Sequence, residues 1–522
     1  MKTINLATYR DKVMGCWAGK NIGGVLGAPF EAWRQVNDVS FYKQDLSMGP
    51  PPNDDLDLQI LWLAAVERYG RNVNASILGE YWLSFVVPHW VEYGTGKNNM
   101  RAGLKPPLSG MIDNRYKDSC GCFIRSEIWA CLAPGHPEVA ARYAYEDAIV
   151  DHQGEGMFGE VFFAAMESAA FVESDKRKLI DIGLSYIPQD SVISQVVRKA
   201  IECYDTGVPF LDARKIIHNM APGSFGLMNI KLSQIKKEGN EGLEVGKAGF
   251  DAPENIGFTI AGWMYGEDDF GKSICLANSC GEDTDCTCAT LGALMGIIHG
   301  ESGLPEKWKA PLNDKIATMC IDKTGRVLWV PATVTELTDR VIRDMPMFLG
   351  HEFCDILSEE GMTITMRDGD DLYCRKPALE EYLPGINGRW KPWEPSIGEL
   401  CQRSPYIISQ DFPAFRVLVD YCGTINYKYG QTNKIRVRVE NYSFMAQQHW
   451  AKITLYMPQG VEVLGGTSVE LPLNNTVGAC AETEFEFSTD AYNNSRLEFI
   501  VDVSLVGRHS SGPVKVTMMR AN

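Results

Sequence analysis

The sequence predicts two parts, a mainly α N-terminal domain with a helical fold and a C-terminal all-β sandwich domain. Apolar residues recur at helical spacing over the first 350 residues. After Ser409 apolar and polar residues alternate, as they do in half-buried strands. Since 522 residues exceed one ordinary core, we assign a helical domain to 1–350, a connector to 351–405 and a β domain to 406–522.

Two of the predicted helices lie in the first half of the chain. Residues 56–69 place apolar side chains at helical spacing, and the segment ends at Gly70. Residues 157–172 are apolar on nearly every side, which is typical of a central, fully surrounded helix.

Two further helices are predicted near the end of the helical domain. Residues 286–299 contain Gly292 and Gly296, which allow another helix to approach closely. Residues 335–348 form a predicted helix with threonine hydroxyls suited to an N-cap at its start, and Pro346 is expected to break the helix at its end. The capping candidates are Thr333 and Thr335.

The C-terminal part reads as short strands separated by turn residues, the pattern of a β-sandwich. The clearest strands are 415–419, 434–439, 451–456 and 497–503. The connector before them is rich in Pro, Gly and Trp and lacks a clear period. We expect three apolar anchors to tie it to the domains, namely Phe353, Trp390 and Trp393.

Composition limits the partners and the compartment. A formal net charge of -17 argues against nucleic acid as the main partner. No apolar run is long enough to span a membrane, and the first residues lack the apolar core of a signal peptide. Fifteen cysteines without an export signal are expected to be free thiols. These observations predict a cytoplasmic protein, and its oligomeric state stays open.

Two short acidic clusters carry the chemistry. Each lies directly before a predicted helix, where carboxylates can hold hard divalent cations such as Mg²⁺ or Mn²⁺. Acidic residues at helix N-termini also stabilise the helix dipole without any metal, so one cluster alone leaves both readings open. The clusters are Asn53-Asp54-Asp55 and Asp283-Thr284-Asp285.

Five segments, taken in order along the chain, resemble the ADP-ribosylglycohydrolase family. They are GCWAGKNIGGVLGAPFE at 15–31, NDD at 53–55, GCFIR at 121–125, DH at 151–152 and GEDTDC at 281–286. The resemblance implies an all-α domain with two Mg²⁺ or Mn²⁺ ions in a cleft. It also implies a hydrolase that releases ADP-ribose from modified side chains or from small ADP-ribosyl compounds.

The resemblance assigns roles residue by residue. Glu31 would be the carboxylate nearest the reacting sugar. The chemistry of a metal-bound water adds that Asp54 or Asp55 could accept its proton, and we assign Asp55 as the catalytic residue. The implied metal ligands are Asn53, Asp54, Asp55, Asp283, Asp285 and Cys286. The implied substrate contacts are Gly121, Cys122, Arg125 and His152. From the residues alone, an internal salt bridge for Arg125 and a core position for His152 are equally open readings.

The sequence departs from the family pattern at four positions. Asn53 replaces a threonine, and its amide oxygen can still bind Mg²⁺. Cys286 replaces a threonine or serine, and a soft sulfur suits Mg²⁺ badly. Gly24 and Cys122 stand where Asp and Asn are common. One metal is therefore expected to be looser, replaced by Mn²⁺ or absent.

Three functions follow from these observations. The first is metal-dependent hydrolysis of an ADP-ribosyl bond. The second is a glycosidase that acts on a simpler pentofuranoside or nucleoside-like substrate. The third is a non-catalytic protein that binds ADP-ribose or another sugar. In each case the partner is a small molecule or an ADP-ribosylated substrate, with neither nucleic acid nor a membrane involved.

Overall fold

The computed structural model describes two compact units. It covers residues 1–521 except 222–235, 238–243, 248, 325–327, 359–360, 376–394 and 442–446. The first unit combines Met1–Met100 with Ser109–Cys374, and the second combines Arg101–Leu108 with Arg375–Asn522. The expected anchors Trp390 and Trp393 lie outside the described residues.

Helices dominate the described part of the first unit, which confirms the predicted helical fold. In chain order they are α1 (Leu6–Gly27), α2 (Asp57–Tyr69), α3 (Ala75–Phe85), α4 (Val91–Arg101), α5 (Leu108–Met111), α6 (Glu127–Leu132), α7 (Pro137–Ala148), α8 (Glu155–Ala169), α9 (Lys176–Ser185), α10 (Val192–Asp205), α11 (Phe210–Met220), α12 (Ala252–Gly266), α13 (Phe270–Ser279), α14 (Thr284–His299), α15 (Glu306–Lys309) and α16 (Val334–Leu349).

The four helices expected from the sequence correspond to α2, α8, α14 and α16. At the start of α16, Thr333 is the N-cap and its hydroxyl accepts a hydrogen bond from the amide of Glu336 at 3.0 Å. Pro346 lies inside this helix, which continues to Leu349. The expectation that Pro346 breaks the helix was therefore wrong, because a proline near the C-terminus removes one backbone donor without ending the last turn.

Short strands complete the first unit. They are β1 (Lys2–Asn5), β2 (Trp33–Arg34), β3 (Lys236–Lys237), β4 (Glu244–Lys247), β5 (Cys354–Asp355) and β6 (Thr363–Met366). The central strand β6 pairs antiparallel with both β1 and β5. The first part of the segment that we assigned to the connector therefore belongs to the helical unit.

Helices α1 and α14 run antiparallel with their backbones in close contact. A Cβ atom at Gly19 would lie 2.0 Å from the carbonyl oxygen of Gly292, and one at Gly23 would lie 2.0 Å from that of Cys288. Real side chains do not approach so closely, so only glycine fits. Every fourth residue of α1 meets α14 in this way, namely Gly15, Gly19, Gly23 and Gly27. The contact places the C-terminus of α1 beside the N-terminus of α14.

In its described residues, the second unit contains two five-stranded sheets and one short helix, α17 (Ile397–Cys401). Phe487 in one sheet contacts Phe499 in the other, with ring centroids 5.9 Å apart. Buried and exposed residues alternate along the longer strands, as expected for a two-layer β structure. The strands are β7 (Ile407–Asp411), β8 (Arg416–Asp420), β9 (Asn426–Tyr427), β10 (Thr432–Glu440), β11 (His449–Tyr456), β12 (Glu462–Leu464), β13 (Ser468–Leu473), β14 (Cys480–Ser488), β15 (Arg496–Leu505) and β16 (Ser511–Arg520).

The sheet orders are β12-β14-β10-β8-β7 and β13-β11-β15-β16-β9. All pairings within them are antiparallel except that of β16 with β9. Segment 101–108 joins this unit, since Arg496 donates a hydrogen bond to the carbonyl of Ala102 at 3.2 Å. The assignment of this segment to the second unit was not expected from the sequence.

Among the described residues, no helix is both long enough and apolar enough to cross a membrane. All fifteen cysteines are free thiols, as the sequence predicts.

Replacing Gly19 with alanine tests the close contact of α1 and α14. The new Cβ would collide with backbone atoms, which cannot rotate away, so we expect destabilisation by about 1–3 kcal/mol or more. Denaturant unfolding measures this change. Gly398→Ala is the matched control, because Gly398 is also helical and a Cβ there meets no atom within 4 Å. Equal stabilities for the two variants would contradict the packing described here.

Candidate metal centre

The first acidic cluster forms a tight turn that leads into α2. Asp54–Leu56 is a 3-10 turn, and Asn53 caps it by accepting a hydrogen bond from the amide of Asp55 at 2.7 Å. Asp and Asn suit this position because their side-chain oxygens satisfy free amides at a helix start. The turn thereby presents three oxygen-bearing side chains together.

The second acidic cluster occupies the start of α14. Asp283 is the residue before the helix, and Asp285 lies in its first turn. Asp285 accepts a hydrogen bond from the Cys286 amide at 3.0 Å. The partial positive charge of a helix N-terminus favours carboxylates here.

The structure brings the two clusters together although some 230 residues separate them. The amide nitrogen of Asn53 donates a hydrogen bond to Asp285 at 3.1 Å. Helix α1 packs against the first cluster, since a Cβ on Gly24 would lie 3.2 Å from an oxygen of Asp55 and 3.4 Å from the Asn53 nitrogen. The five residues 53–55, 283 and 285 therefore belong to one site.

The donor set suits a hard divalent cation. Both carboxylate oxygens of Asp55 and one of Asp283 are buried, yet they accept no hydrogen bond from any residue that the structure describes. Buried carboxylate oxygens without a donor are costly. Oxygen ligands with several negative charges are what Mg²⁺ and Mn²⁺ require, so the residues present fit such ions.

Burial and mutual repulsion raise the pKa values of these carboxyl groups. Burial is the main cause for Asp55, Asp283 and Asp285. For Asp54, burial and then the charge of Asp285 raise the pKa to about 6. Without cations the cluster therefore retains protons well above the usual range of aspartate.

Glu31 lies at the edge of the cluster, just after the end of α1. It is an exposed residue, yet the charge of Asp285 raises the pKa of its carboxyl to about 9, helped by desolvation and by Asp54 and Asp55. The amide of the next residue, Ala32, donates a hydrogen bond to the carbonyl of Glu282, which precedes Asp283, so the backbone holds Glu31 near the second acidic cluster. A proton on this group is retained at neutral pH in the metal-free protein.

Cys286 is buried beside the cluster. Its sulfur and one carboxylate oxygen each from Asp283 and Asp285 lie within 4.8 Å of one another. Burial and the charges of Asp283 and Asp55 raise the pKa of its thiol, so the sulfur stays protonated. A neutral thiol is a poor ligand for Mg²⁺.

A buried ion pair lies next to the acidic cluster. The Lys20 ammonium donates a hydrogen bond to Glu127 at 2.7 Å, and Gln59 donates to the other oxygen of Glu127 at 2.8 Å. Lys20 also lines a small cavity together with Gly24 and Asp55. Sequence reasoning assigned no role to Glu127 and Gln59. The available signal was a lysine within residues 13–27, where the only other polar side chain is that of Asn21.

The expected substrate residues Gly121 and Cys122 differ in accessibility. Gly121 is partly exposed and packs tightly, since a Cβ there would lie 2.2 Å from an oxygen of Glu92. The Cys122 side chain is buried, and its thiol donates a hydrogen bond to Glu160 at 3.0 Å.

Arg125 forms internal salt bridges, one of the two readings left open by the sequence. Its guanidinium lies 2.9 Å from Asp147, 2.6 Å from Asp151 and 3.7 Å from Glu160, and all four side chains are fully buried. Sequence reasoning missed Asp147 and Glu160. The signal for Glu160 was a carboxylate within the apolar pattern of α8.

His152 is held in the same buried network. Its Nδ1 lies 2.9 Å from Asp151 and its Nε2 lies 2.8 Å from the hydroxyl of Ser119. The ring is fully buried, and its Nδ1, although close to Asp151, forms no hydrogen bond with any described residue. Ser119, which precedes the glycine loop, was not identified from the sequence.

The helical fold brings these carboxylates together as a candidate site for divalent cations. A family model described as ADP-ribosylglycohydrolase matches residues 5–344, and the chain belongs to this family. It is therefore an enzyme, a hydrolase that acts on glycosidic bonds. The resemblance seen in the five sequence segments is confirmed.

Solved structures show weaker likenesses. A chain from an ADP-ribosylglycohydrolase-related protein complex is 16% identical with a TM-score of 0.41, and the match covers 66% of this chain and 100% of that one. A conjugative transposon lipoprotein from Bacteroides eggerthii is 14% identical with a TM-score of 0.13, over 21% of this chain and 92% of that one. Neither supports an argument about function. No curated protein matches the sequence.

The raised pKa values predict how pH changes the effect of metal on stability. In the metal-free protein, protonation of these carboxyls stabilises the fold, and this contribution is complete below about pH 4, the pKa of such groups in the unfolded chain. It is lost as pH rises through about 6 for Asp54 and about 9 for Glu31. Cations compete with these protons, so the rise in melting temperature on adding Mn²⁺ should grow from pH 5 to pH 8.

Thermal denaturation in Mn²⁺ and in chelator measures this difference. Saturation at about 100 times the Kd corresponds to about 2.7 kcal/mol. Asp285→Asn should remove most of the gain. A gain that is independent of pH, or that persists in Asp285→Asn, would contradict metal binding by the cluster.

Cys286→Thr should shift the metal preference towards Mg²⁺, because a hydroxyl oxygen replaces a protonated sulfur beside the cluster. The measurement is the ratio of the melting-temperature shifts caused by Mg²⁺ and Mn²⁺. Cys480→Thr, at an exposed strand position, is the control and should leave the ratio unchanged. An unchanged ratio in Cys286→Thr would count against a role for this thiol.

Proposed function

We propose that this glycohydrolase cleaves an ADP-ribosyl glycosidic bond with the help of two Mg²⁺ or Mn²⁺ ions. The main support is the set of buried oxygens on Asp55 and Asp283, which accept no hydrogen bond from any described residue. Family membership supports the substrate class.

Six side chains would surround the ions. Two bound cations supply a polarised water and fixed contacts for the sugar hydroxyls. Cys286 would contribute a sulfur atom, and the other five residues would contribute oxygen ligands. The proposed ligands are Asn53, Asp54, Asp55, Asp283, Asp285 and Cys286.

Glu31 and Asp55 are the proposed proton-transfer groups. Glu31 would hold a proton on its carboxyl at the edge of the cluster and pass it to the departing group. Asp55, whose oxygens are without donors among the described residues, would accept a proton from the attacking water.

In this proposal, Gly121 and the glycine loop that begins with it would contact the ligand. Cys122, Arg125 and His152 would act behind it by holding the loop, because their side chains are buried among protein partners. Arg125 also donates a hydrogen bond to the Gly121 carbonyl at 3.0 Å. Direct contacts of these three side chains with substrate would require rearrangement.

A second candidate is a glycosidase for a simpler pentofuranoside or nucleoside-like substrate. Arg125 is the observation that favours it, since this guanidinium is neutralised by Asp147 and Asp151 and is not presented to a pyrophosphate. A panel of ADP-ribosyl-arginine, ADP-ribosyl-serine, nucleosides and pentofuranosides, assayed for released sugar with Mn²⁺, separates the two candidates. Release only from the simpler compounds would replace the first proposal with the second.

Glu31→Gln tests the proposed proton transfer. The substitution keeps size and hydrogen bonding but removes the ionisable group, so the rate should fall by ~10²-fold or more. Folding and the Mn²⁺-dependent melting shift should persist. Glu80→Gln, at an exposed position of α3, should retain full activity. A near-normal rate in Glu31→Gln would leave Glu31 with no part in the chemistry.

A further inference from the structure

The segment that follows Glu31 runs beside the residues that lead into the second acidic cluster. The amide of Ala32 donates a hydrogen bond to the carbonyl of Glu282, and the amide of Glu282 donates to that of Trp33, each at 2.9 Å. Further along, the Asn37 side chain donates to the carbonyl of Asn278 at 2.9 Å. The loop after α1 is therefore joined to the backbone just before α14.

A buried ion pair reinforces this junction. The guanidinium of Arg34 donates a hydrogen bond to Glu282 at 2.5 Å and lies 3.9 Å from Glu254. Glu254 in turn lies 2.6 Å from Nδ1 of His218. Arg34 is 4% exposed and Glu282 is 1% exposed, so water screens their attraction little.

The backbone at this junction is unusual. Glu282 has φ of 65°, and the preceding Gly281 has φ of 77°. Glycine adopts this left-handed region freely, but glutamate does so at a cost. A Cβ on Gly281 would lie 2.3 Å from the carbonyl oxygen of Gln35, so the two segments are in contact. Glu282 therefore contacts Arg34 from a backbone position that favours glycine.

We infer that Arg34 is a positioning residue that acts through Glu31. Arg34 lies three residues after Glu31, and its partner Glu282 directly precedes Asp283. The Arg34–Glu282 pair therefore fastens the Glu31 loop to the segment that carries Asp283 and Asp285. The inference rests on the proposed role of Glu31, because a fixed loop matters for turnover only if that carboxyl serves the reaction.

Combining Arg34→Gln with Glu31→Gln in a double-mutant cycle tests this inference. Arg34→Gln alone should lower kcat by about tenfold or more, because small misplacements of reacting groups are costly, with little change in KM. In the Glu31→Gln background it should cause no further loss. Arg34→Lys keeps the charge and should restore part of the rate. Arg177→Gln, which removes an exposed ion pair with Asp205, is the control for loss of an arginine.

Hydrogen exchange of the metal-free protein supplies a readout that is independent of turnover. Arg34→Gln should speed exchange at the amides of Ala32 and Glu282 while leaving the core of α14 protected. If Arg34→Gln does not fold, Glu282→Gln replaces it in both experiments. The Mn²⁺-dependent melting shift shows whether the acidic cluster still binds metal in each variant.

The outcomes separate the inference from the proposed function. A further loss of the same size in the Glu31→Gln background would overturn the inference, because Arg34 would then act independently of Glu31. Unchanged exchange at Ala32 and Glu282 would also overturn it. Full activity of Glu31→Gln alone would refute the proposed role of Glu31, whereas faster exchange in Arg34→Gln would still support the junction itself.

Discussion

The backbone contact between α1 and α14 is the constraint on which the site depends. The two helices are antiparallel, and glycines at every fourth position of α1 leave room only for the backbone of α14. Gly24 and Glu31, near the end of α1, are therefore held beside Asp283 and Asp285 at the start of α14. A larger side chain along this contact would separate the helices and with them the halves of the acidic cluster.

Electrostatics determines what the cluster can do. Several carboxylates are buried together, and among the described residues the favourable charges near them include Lys20 and the N-termini of the turn at 54–56 and of α14. Protons satisfy the excess of negative charge when cations are absent, which is why the pKa values of Asp54 and Glu31 rise. Divalent cations can neutralise the same negative charge by binding to the carboxylates. The residues that destabilise the metal-free fold at higher pH are therefore suited to bind metal.

Much of this arrangement could be predicted from the sequence, because its signals are local. Helical periodicity predicted α2, α8, α14 and α16, and strand alternation predicted the C-terminal sheets. Motif order predicted that residues 53–55 and 283–285 would meet, which the hydrogen bond from Asn53 to Asp285 bears out. Their role as metal ligands remains a proposal.

The remaining features depend on contacts between distant residues, which no local pattern encodes. The partners of Arg125 come from α7, α8 and the turn between them, so its orientation could not be read from its own segment. The entry of residues 101–108 into the C-terminal unit likewise depends on side chains almost 400 positions away, such as Arg496. The junction of Arg34 with Glu282 is of the same kind.

Diffraction from crystals soaked in Mn²⁺ tests the central claim most directly. The anomalous signal locates each ion without reference to turnover. Our account predicts two peaks separated by about 3.5–4 Å, enclosed by residues 53–55 and by Asp283 and Asp285. The absence of signal there at saturating Mn²⁺, with the cluster ordered, would contradict the account.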